Sequence, residues 1–247
     1  MPAPVYVSTH PLVQHKLARL RAADTRPPEF RALVAAISRG LLFELTRELR
    51  LAPVRVQTPL TGATCQQIAD RVGFVPVLRA GLGMAEAMLE ELPEAAVWHL
   101  GLYRDHATLK PVTYYNRLPP KPDMDLGIVL DPMLATGGSA IAALDILKKA
   151  GTPRLVFAGL IAAPEGVAAL RAAHPDVPLY LAALDAHLNE VGYIVPGLGD
   201  AGTWKYKAQP IDKKETLLEN WRVIWVIVEE RTDKGEPLET HHLRLSG

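Results

Sequence analysis

The stretch Asp131-Pro-Met-Leu-Ala-Thr-Gly-Gly-Ser139 collects residue types that can hold a phosphate. Thr136, Gly137, Gly138 and Ser139 form a turn of small residues that suits a phosphate, with Asp131 as an acid at the end of the apolar run before it. Glycine lets main-chain N–H groups approach an anion closely, and a helix starting there adds unpaired donors and the positive end of its dipole. No Lys follows the glycines, so the pattern is not a nucleotide P-loop, and without G-x-G-x-x-G it is not a dinucleotide fingerprint. The bland alternative is a strand-to-helix turn capped by Ser139.

Two arginines extend the anion chemistry. Arg79 lies in Leu78-Arg-Ala-Gly-Leu-Gly83, and Arg104 closes Gly101-Leu-Tyr-Arg104. The planar guanidinium can hold two phosphate oxygens at once. Alone, either arginine reads as a surface charge; beside a glycine-rich phosphate turn, both read as anion contacts. Between Arg104 and Asp125 a polar stretch with β-formers on either side of Lys110-Pro111 predicts a projecting hairpin, suited to act as a lid. His106, Lys110 and Arg117 there are either solvated charges or further anion contacts.

These groups need elements to bring them together. Apolar, β-branched runs predict strands over 74–78, 96–103, 126–130, 155–162 and 179–184, with helices over 83–92, 140–149 and 165–173 between them. Alternation of this kind specifies an α/β fold, a mostly parallel twisted sheet flanked by helices. Ligands of such sheets bind beyond the carboxyl ends of the strands, where Arg79, Arg104, Asp131 and the 185–201 loop all fall. Upstream, Val5-Tyr-Val7 reads as an extended arm. Ser8 or Thr9 would cap a helix over 11–22, with His10 and His15 as surface or capping groups. A second helix, striped by Phe30, Leu33, Val34, Ile37, Leu41, Leu45 and Leu49, runs from Pro28 and stops before Pro53.

Composition narrows the function. The chain has 247 residues, 49% of them apolar, enough for one large core with a small appendage. Lys plus Arg (27) equals Asp plus Glu (27), so no overall basic field points to nucleic acid or an acidic membrane. Cys65 is the single cysteine and reads as a small core residue in a cytoplasmic protein. No apolar run reaches spanning length.

Asn189-Glu-Val-Gly-Tyr-Ile-Val-Pro-Gly-Leu-Gly-Asp-Ala-Gly202 sets four glycines among apolar residues. Such a loop exposes main-chain donors and acceptors in a shaped wall, with Tyr193 and Ile194 for apolar contact. Here the sequence resembles the uracil phosphoribosyltransferases, a type I phosphoribosyltransferase family. Ser8-Thr-His-Pro-Leu-Val-Gln-His-Lys16, the stretches 78–83, 101–104 and 131–139, and the loop 192–202 carry the likeness, which spans about residues 5–202.

The resemblance implies a type I phosphoribosyltransferase fold with a small hood or hairpin. It also implies a reaction, uracil plus 5-phosphoribosyl 1-pyrophosphate (PRPP) giving UMP and pyrophosphate. Asp131, Arg79 and Arg104 would be catalytic. PRPP would be held by those three with Pro132, Met133, Leu134, Ala135, Thr136, Gly137, Gly138, Ser139 and Asp200. Uracil would meet Tyr193, Ile194, Gly199, Asp200 and Ala201. Backbone N–H groups would face the base carbonyls and a backbone carbonyl would face N3–H. Cytosine would leave two such groups unpaired at about 1 to 3 kcal/mol each, enough for strong rejection. Many type I relatives carry two adjacent acids at the strand end. Here Pro132 follows Asp131, so Mg²⁺ is expected on substrate oxygens and water, with no protein metal ligand. The resemblance further implies a homo-oligomer, dimer or larger, with GTP as an effector in some members. A PRPP-sensing RNA-binding regulator on the same fold is the alternative, as is an enzyme acting on a purine base. Residues 203–247, rich in Lys and containing Trp204, Trp221 and Trp225, match nothing in the family and read as an appendage to a 1–202 domain, with a strand expected over 221–229.

Overall fold

Strands whose two faces are both covered can be apolar throughout, and the middle of this molecule is built from such strands. The computed structural model describes residues 2–104, 111–116 and 118–199. In chain order the elements are β1 (Val5–Val7), α1 (Pro11–Arg21), α2 (Pro27–Leu45), β2 (Leu51–Gln57), β3 (Gly62–Ile68), β4 (Val72–Leu78), α3 (Leu82–Glu91), β5 (Ala96–Val97), β6 (Leu100–Arg104), β7 (Pro111–Asn116), β8 (Leu126–Leu130), β9 (Met133–Leu134), α4 (Gly138–Lys149), β10 (Arg154–Ala162), α5 (Pro164–Ala173), β11 (Leu179–Leu184), β12 (His187–Leu188) and β13 (Ile194–Val195). The main sheet runs β1-β11-β10-β8-β4-β6-β7, parallel except for the β6–β7 pair. The expected α/β architecture and its edge hairpin are therefore present.

The period-2 alternation of strand side chains divides the core into two layers. Phe74, Ile128 and Ala158 pack with Leu17, Ile37, Leu41 and Met88 of α1, α2 and α3. Val75, Val129 and Phe157 face the other way, onto Ala143, Leu144, Leu147 and Leu170 of α4 and α5. All parallel strands point their carboxyl ends to one edge, and that edge collects Arg79, Arg104, Asp131 and Asp185.

Several local expectations need correction. Val5–Val7 is not a free arm but an edge strand in parallel register with Leu179–Leu181. His10, not Ser8 or Thr9, caps α1: its Nδ1 accepts from the Leu12 N–H at 3.2 Å, while Ser8 Oγ donates to Glu44. The second helix ends at Leu45, short of Pro53, and an antiparallel hairpin, β2–β3, occupies residues 51–68, where the sequence predicts no strand. Both its faces are largely solvated, so it carries no amphipathic alternation, and Pro53 within β2 looks like a breaker. Cys65 lies on that hairpin and is exposed rather than in the core. The strand expected over 96–103 is interrupted at Trp98 and His99, with unchanged register against β4 on either side.

Candidate functional site

At the carboxyl end of β8, Asp131 and Pro132 step off the ladder. Met133 and Leu134 rejoin it beside Ile161 and Ala162 of β10, and the Pro132 carbonyl accepts from the Leu160 and Ile161 N–H groups. This detour leaves the Asp131 side chain out of the sheet's hydrogen bonding. Its Oδ1 accepts from the Met133 N–H at 3.3 Å. The residue keeps some exposed surface, yet the crowded protein around the carboxyl withdraws water, and this desolvation pushes it up to about 7 against the weaker opposing pull of the Met133 N–H. Asp70, at the amino edge of the same sheet, goes the other way. Burial raises it, but the Arg50 N–H and the Arg154 and Arg50 guanidiniums outweigh that and bring it to about 2. Asp70 is paired structure; Asp131 is an acid without a cationic neighbour of that kind.

Past β9, Ala135 and the exposed Thr136 lead into α4. Gly137 occupies the cap position with φ of 83°, a left-handed conformation that an L side chain rarely adopts. Ser139 therefore sits inside the first turn instead of capping it, and no side chain bonds to the N-terminus. The first turn also lacks an acid, so neither a cap nor a carboxylate of the helix itself offsets its N–H groups and dipole. Gly137 packs on α5: a Cβ there would lie 3.1 Å from the Gly166 carbonyl.

Arg79 arrives from β4 in the turn to α3. Gly81 presses that turn against the end of β8, where an added Cβ would come within 2.3 Å of the Leu130 carbonyl. Arg79 and Asp131 are thereby brought to the same edge. Arg79 is exposed, and among the described residues its guanidinium has no hydrogen-bond or ion-pair partner. Arg104 ends β6, three residues beyond Gly101, which stands in register with Leu78. His106, Lys110, Arg117, Asp200, Ala201 and the strand expected over 221–229 lie outside the described residues.

The glycine-rich loop follows β11. It folds back as the β12–β13 ribbon, with Leu188 opposite Ile194. The Asn189 N–H bonds to the Tyr193 carbonyl, whereas the Leu188 N–H turns to Glu165 at 3.0 Å. In an antiparallel ladder this makes Leu188–Ile194 the non-hydrogen-bonded pair, so the N–H and C=O of Ile194 point away from β12. The Ile194 side chain is buried in the core while Tyr193 is exposed, which puts apolar anchoring and an accessible ring side by side. Gly199 is exposed with φ of 65°.

Three residues escaped sequence reading. Arg21 and Asp185 pin this loop, and Glu165 receives its Leu188 N–H. Asp185 ends a strand as Asp131 does, a signal that could have singled it out; Arg21 closes a helix far away in sequence and gave none. Among the described residues no cluster of three His, Cys, Asp or Glu could hold a metal ion, and no helix is long and apolar enough to cross a membrane.

Comparison with known proteins shows the family of the chain. The family described as uracil phosphoribosyltransferase matches residues 7–208. A uracil phosphoribosyltransferase of Roseiflexus castenholzii is 63% identical over 198 residues, 80% of this chain and 95% of that protein. One from Geobacillus kaustophilus is 54% identical over 199 residues, again 80% and 95%. The solved AQ2163 protein from Aquifex aeolicus superposes with a TM-score of 0.77 at 34% identity, covering 82% of this chain and 97% of that one. From the Ser8–Lys16 stretch to the glycine-rich loop, the chain belongs to the uracil phosphoribosyltransferase family.

Proposed function

We infer that the protein converts uracil and PRPP to UMP and pyrophosphate, a pyrimidine salvage reaction. The observation that carries this reading is the meeting, at one sheet edge of a chain in this family, of an arginine with no partner among the described residues, a raised carboxyl and a helix N-terminus without a side-chain cap. N1 of uracil attacks C1′ as the bond from C1′ to pyrophosphate breaks, and the N1 proton leaves to water or to the pyrophosphate. The centre passes through oxocarbenium character, which a fixed carboxylate stabilises. Asp131 meets the ribose hydroxyls in its ionised form. Residues 132–139 wrap the 5′-phosphate, with the first-turn N–H groups of α4 as donors. Arg79 and Arg104 take the leaving pyrophosphate. Tyr193 stands beside the pyrimidine, the outward N–H and C=O of Ile194 read its polar edge, and Gly199, Asp200 and Ala201 complete that wall, Asp200 also helping to hold PRPP.

With one carboxylate at the strand end and Pro132 beside it, the donor set fits a Mg²⁺ that stays on substrate oxygens and water. The ion would supply charge neutralisation for the departing group; the arginines and α4 act directly on the phosphates. Self-association as a dimer or larger, GTP as an effector, a cytoplasmic location and a 1–202 catalytic domain with a 203–247 appendage belong to the same proposal. The exposed Leu51, Leu60 and Ile68 of the β2–β3 hairpin are surface that a second copy would cover. Sedimentation, and GTP added to the assay below, test the first two of these.

Incubation with Mg²⁺, PRPP and radiolabelled uracil, cytosine or hypoxanthine tests the reaction. Nucleotide from uracil alone is expected; nucleotide from hypoxanthine, or from no base, overturns it. Arg79→Ala is expected to lower kcat/KM for PRPP about 100-fold, the scale of losing a preorganised charge contact. Its urea midpoint should barely move, since an exposed side chain without a protein partner contributes within about 0.5 kcal/mol. Unchanged kinetics would remove Arg79 from the site.

A further inference from the structure

The loop assigned above to the base has a dedicated clamp. Asp185 directly follows β11, and its side chain is only 4% exposed. Its Oδ2 accepts from Arg21 Nη1 at 2.9 Å and from the Gly197 N–H at 3.0 Å, while Oδ1 accepts from Arg21 Nη2. Arg21 Nη1 also donates to the Gly197 carbonyl at 2.9 Å. Both polar groups of one peptide-linked residue are thus held by one ion pair. Gly197 has φ of 67°, and a Cβ there would lie 2.0 Å from the Ile194 carbonyl, so the position of Gly197 and that of the Ile194 main chain are linked by direct packing.

The clamp is anchored at both ends. Arg21 is the last residue of α1, whose Val13, Leu17 and Leu20 are buried and whose Gln14 donates to the Ser8 and Ala182 carbonyls. The Asp185 N–H bonds to the Ala162 carbonyl of β10. A flat base edge is recognised by main-chain groups whose errors must stay small, and a glycine-rich loop cannot hold such accuracy by itself, because glycine has the widest backbone freedom. An arginine fork on a carboxylate is a geometrically specific tie.

We propose that Arg21 and Asp185 are positioning residues for base recognition: they touch neither substrate, but fix the 194–199 main chain in the register that reads the pyrimidine edge. This rests on the assignment of that loop to uracil. Apart from the contribution of Asp200, binding of the ribose phosphate and pyrophosphate draws on Asp131, α4, Arg79 and Arg104, to which the clamp makes no hydrogen bond among the described residues.

The prediction is a split between substrates. Arg21→Ala should raise KM for uracil at least tenfold and leave KM for PRPP within about threefold, with millimolar guanidinium partly restoring the uracil KM. Arg21→Lys, which keeps the charge beside Asp185 but loses the fork, should give a smaller rise of the same kind and guards against an Arg21→Ala chain that fails to fold. Asp185→Asn should speed hydrogen exchange at the Gly197 amide in the intact protein, a readout that needs no substrate. Equal rises in both KM values, or an unaltered uracil KM in a folded Arg21→Lys, overturn the proposal. So does unchanged exchange at Gly197 in Asp185→Asn. A wild-type protein that ignores uracil while Gly197 loses protection in Asp185→Asn would sink the assigned reaction and leave the clamp standing.

Discussion

Asp131→Asn is expected to lower kcat at least about 100-fold while raising the thermal midpoint at pH 8. The two effects have one cause. In the folded protein desolvation lifts the Asp131 carboxyl to about 7, whereas in the unfolded chain it titrates near 4. Between those values the folded state holds a proton that the unfolded state has released. The resulting stability is complete below about 4 and is lost as pH rises through about 7. At pH 8 the native protein carries an ionised, poorly hydrated carboxylate, and asparagine removes that burden while its Oδ1 still accepts the Met133 N–H. Catalysis needs the opposite form. An oxocarbenium-like centre is stabilised by the anion and not by a neutral amide, so kcat/KM for PRPP should fall on the acid side of about 7 in the wild type. Thermal unfolding and initial rates across pH 5 to 9 check both arms. A variant with full activity removes Asp131 from the mechanism, and one that is less stable at pH 8 removes the desolvation argument.

Gly137→Ala should abolish measurable PRPP binding, a loss of at least about 100-fold, without unfolding the chain. A non-glycine residue held at φ of 83° costs about 1 to 3 kcal/mol, and the new methyl would press on the Gly166 carbonyl 3.1 Å away. Relief requires the cap to swing, and that moves the first-turn N–H groups of α4 that would grip the 5′-phosphate. The stability of a typical domain, about 5 to 15 kcal/mol, survives such a loss, but a phosphate cradle displaced by an ångström does not. Isothermal titration with PRPP and Mg²⁺, alongside far-UV circular dichroism, separates the two. Tight PRPP binding by the alanine variant would place the phosphate elsewhere.

The chemistry-bearing residues were legible because they stand at the ends of apolar runs. Parallel strands must all present their carboxyl ends at one edge, so finding Arg79, Arg104 and Asp131 each just past or at the end of such a run already implies their convergence. Sequence alone thereby determined the α/β architecture, the glycine turn before α4 and the glycine-rich loop, since fully buried strands and left-handed turns impose narrow choices of residue. The β2–β3 hairpin was hidden because a ribbon solvated on both faces needs no hydrophobic alternation, and Pro53 imitated a breaker. Ser139 as a cap failed since Gly137, two residues earlier, could adopt the left-handed conformation that starts α4. The raised carboxyl of Asp131 depends on which atoms crowd it, and the Arg21–Asp185–Gly197 clamp joins residues more than 160 positions apart. Contacts of that range leave no periodic mark on the chain, and only the tertiary structure decided them.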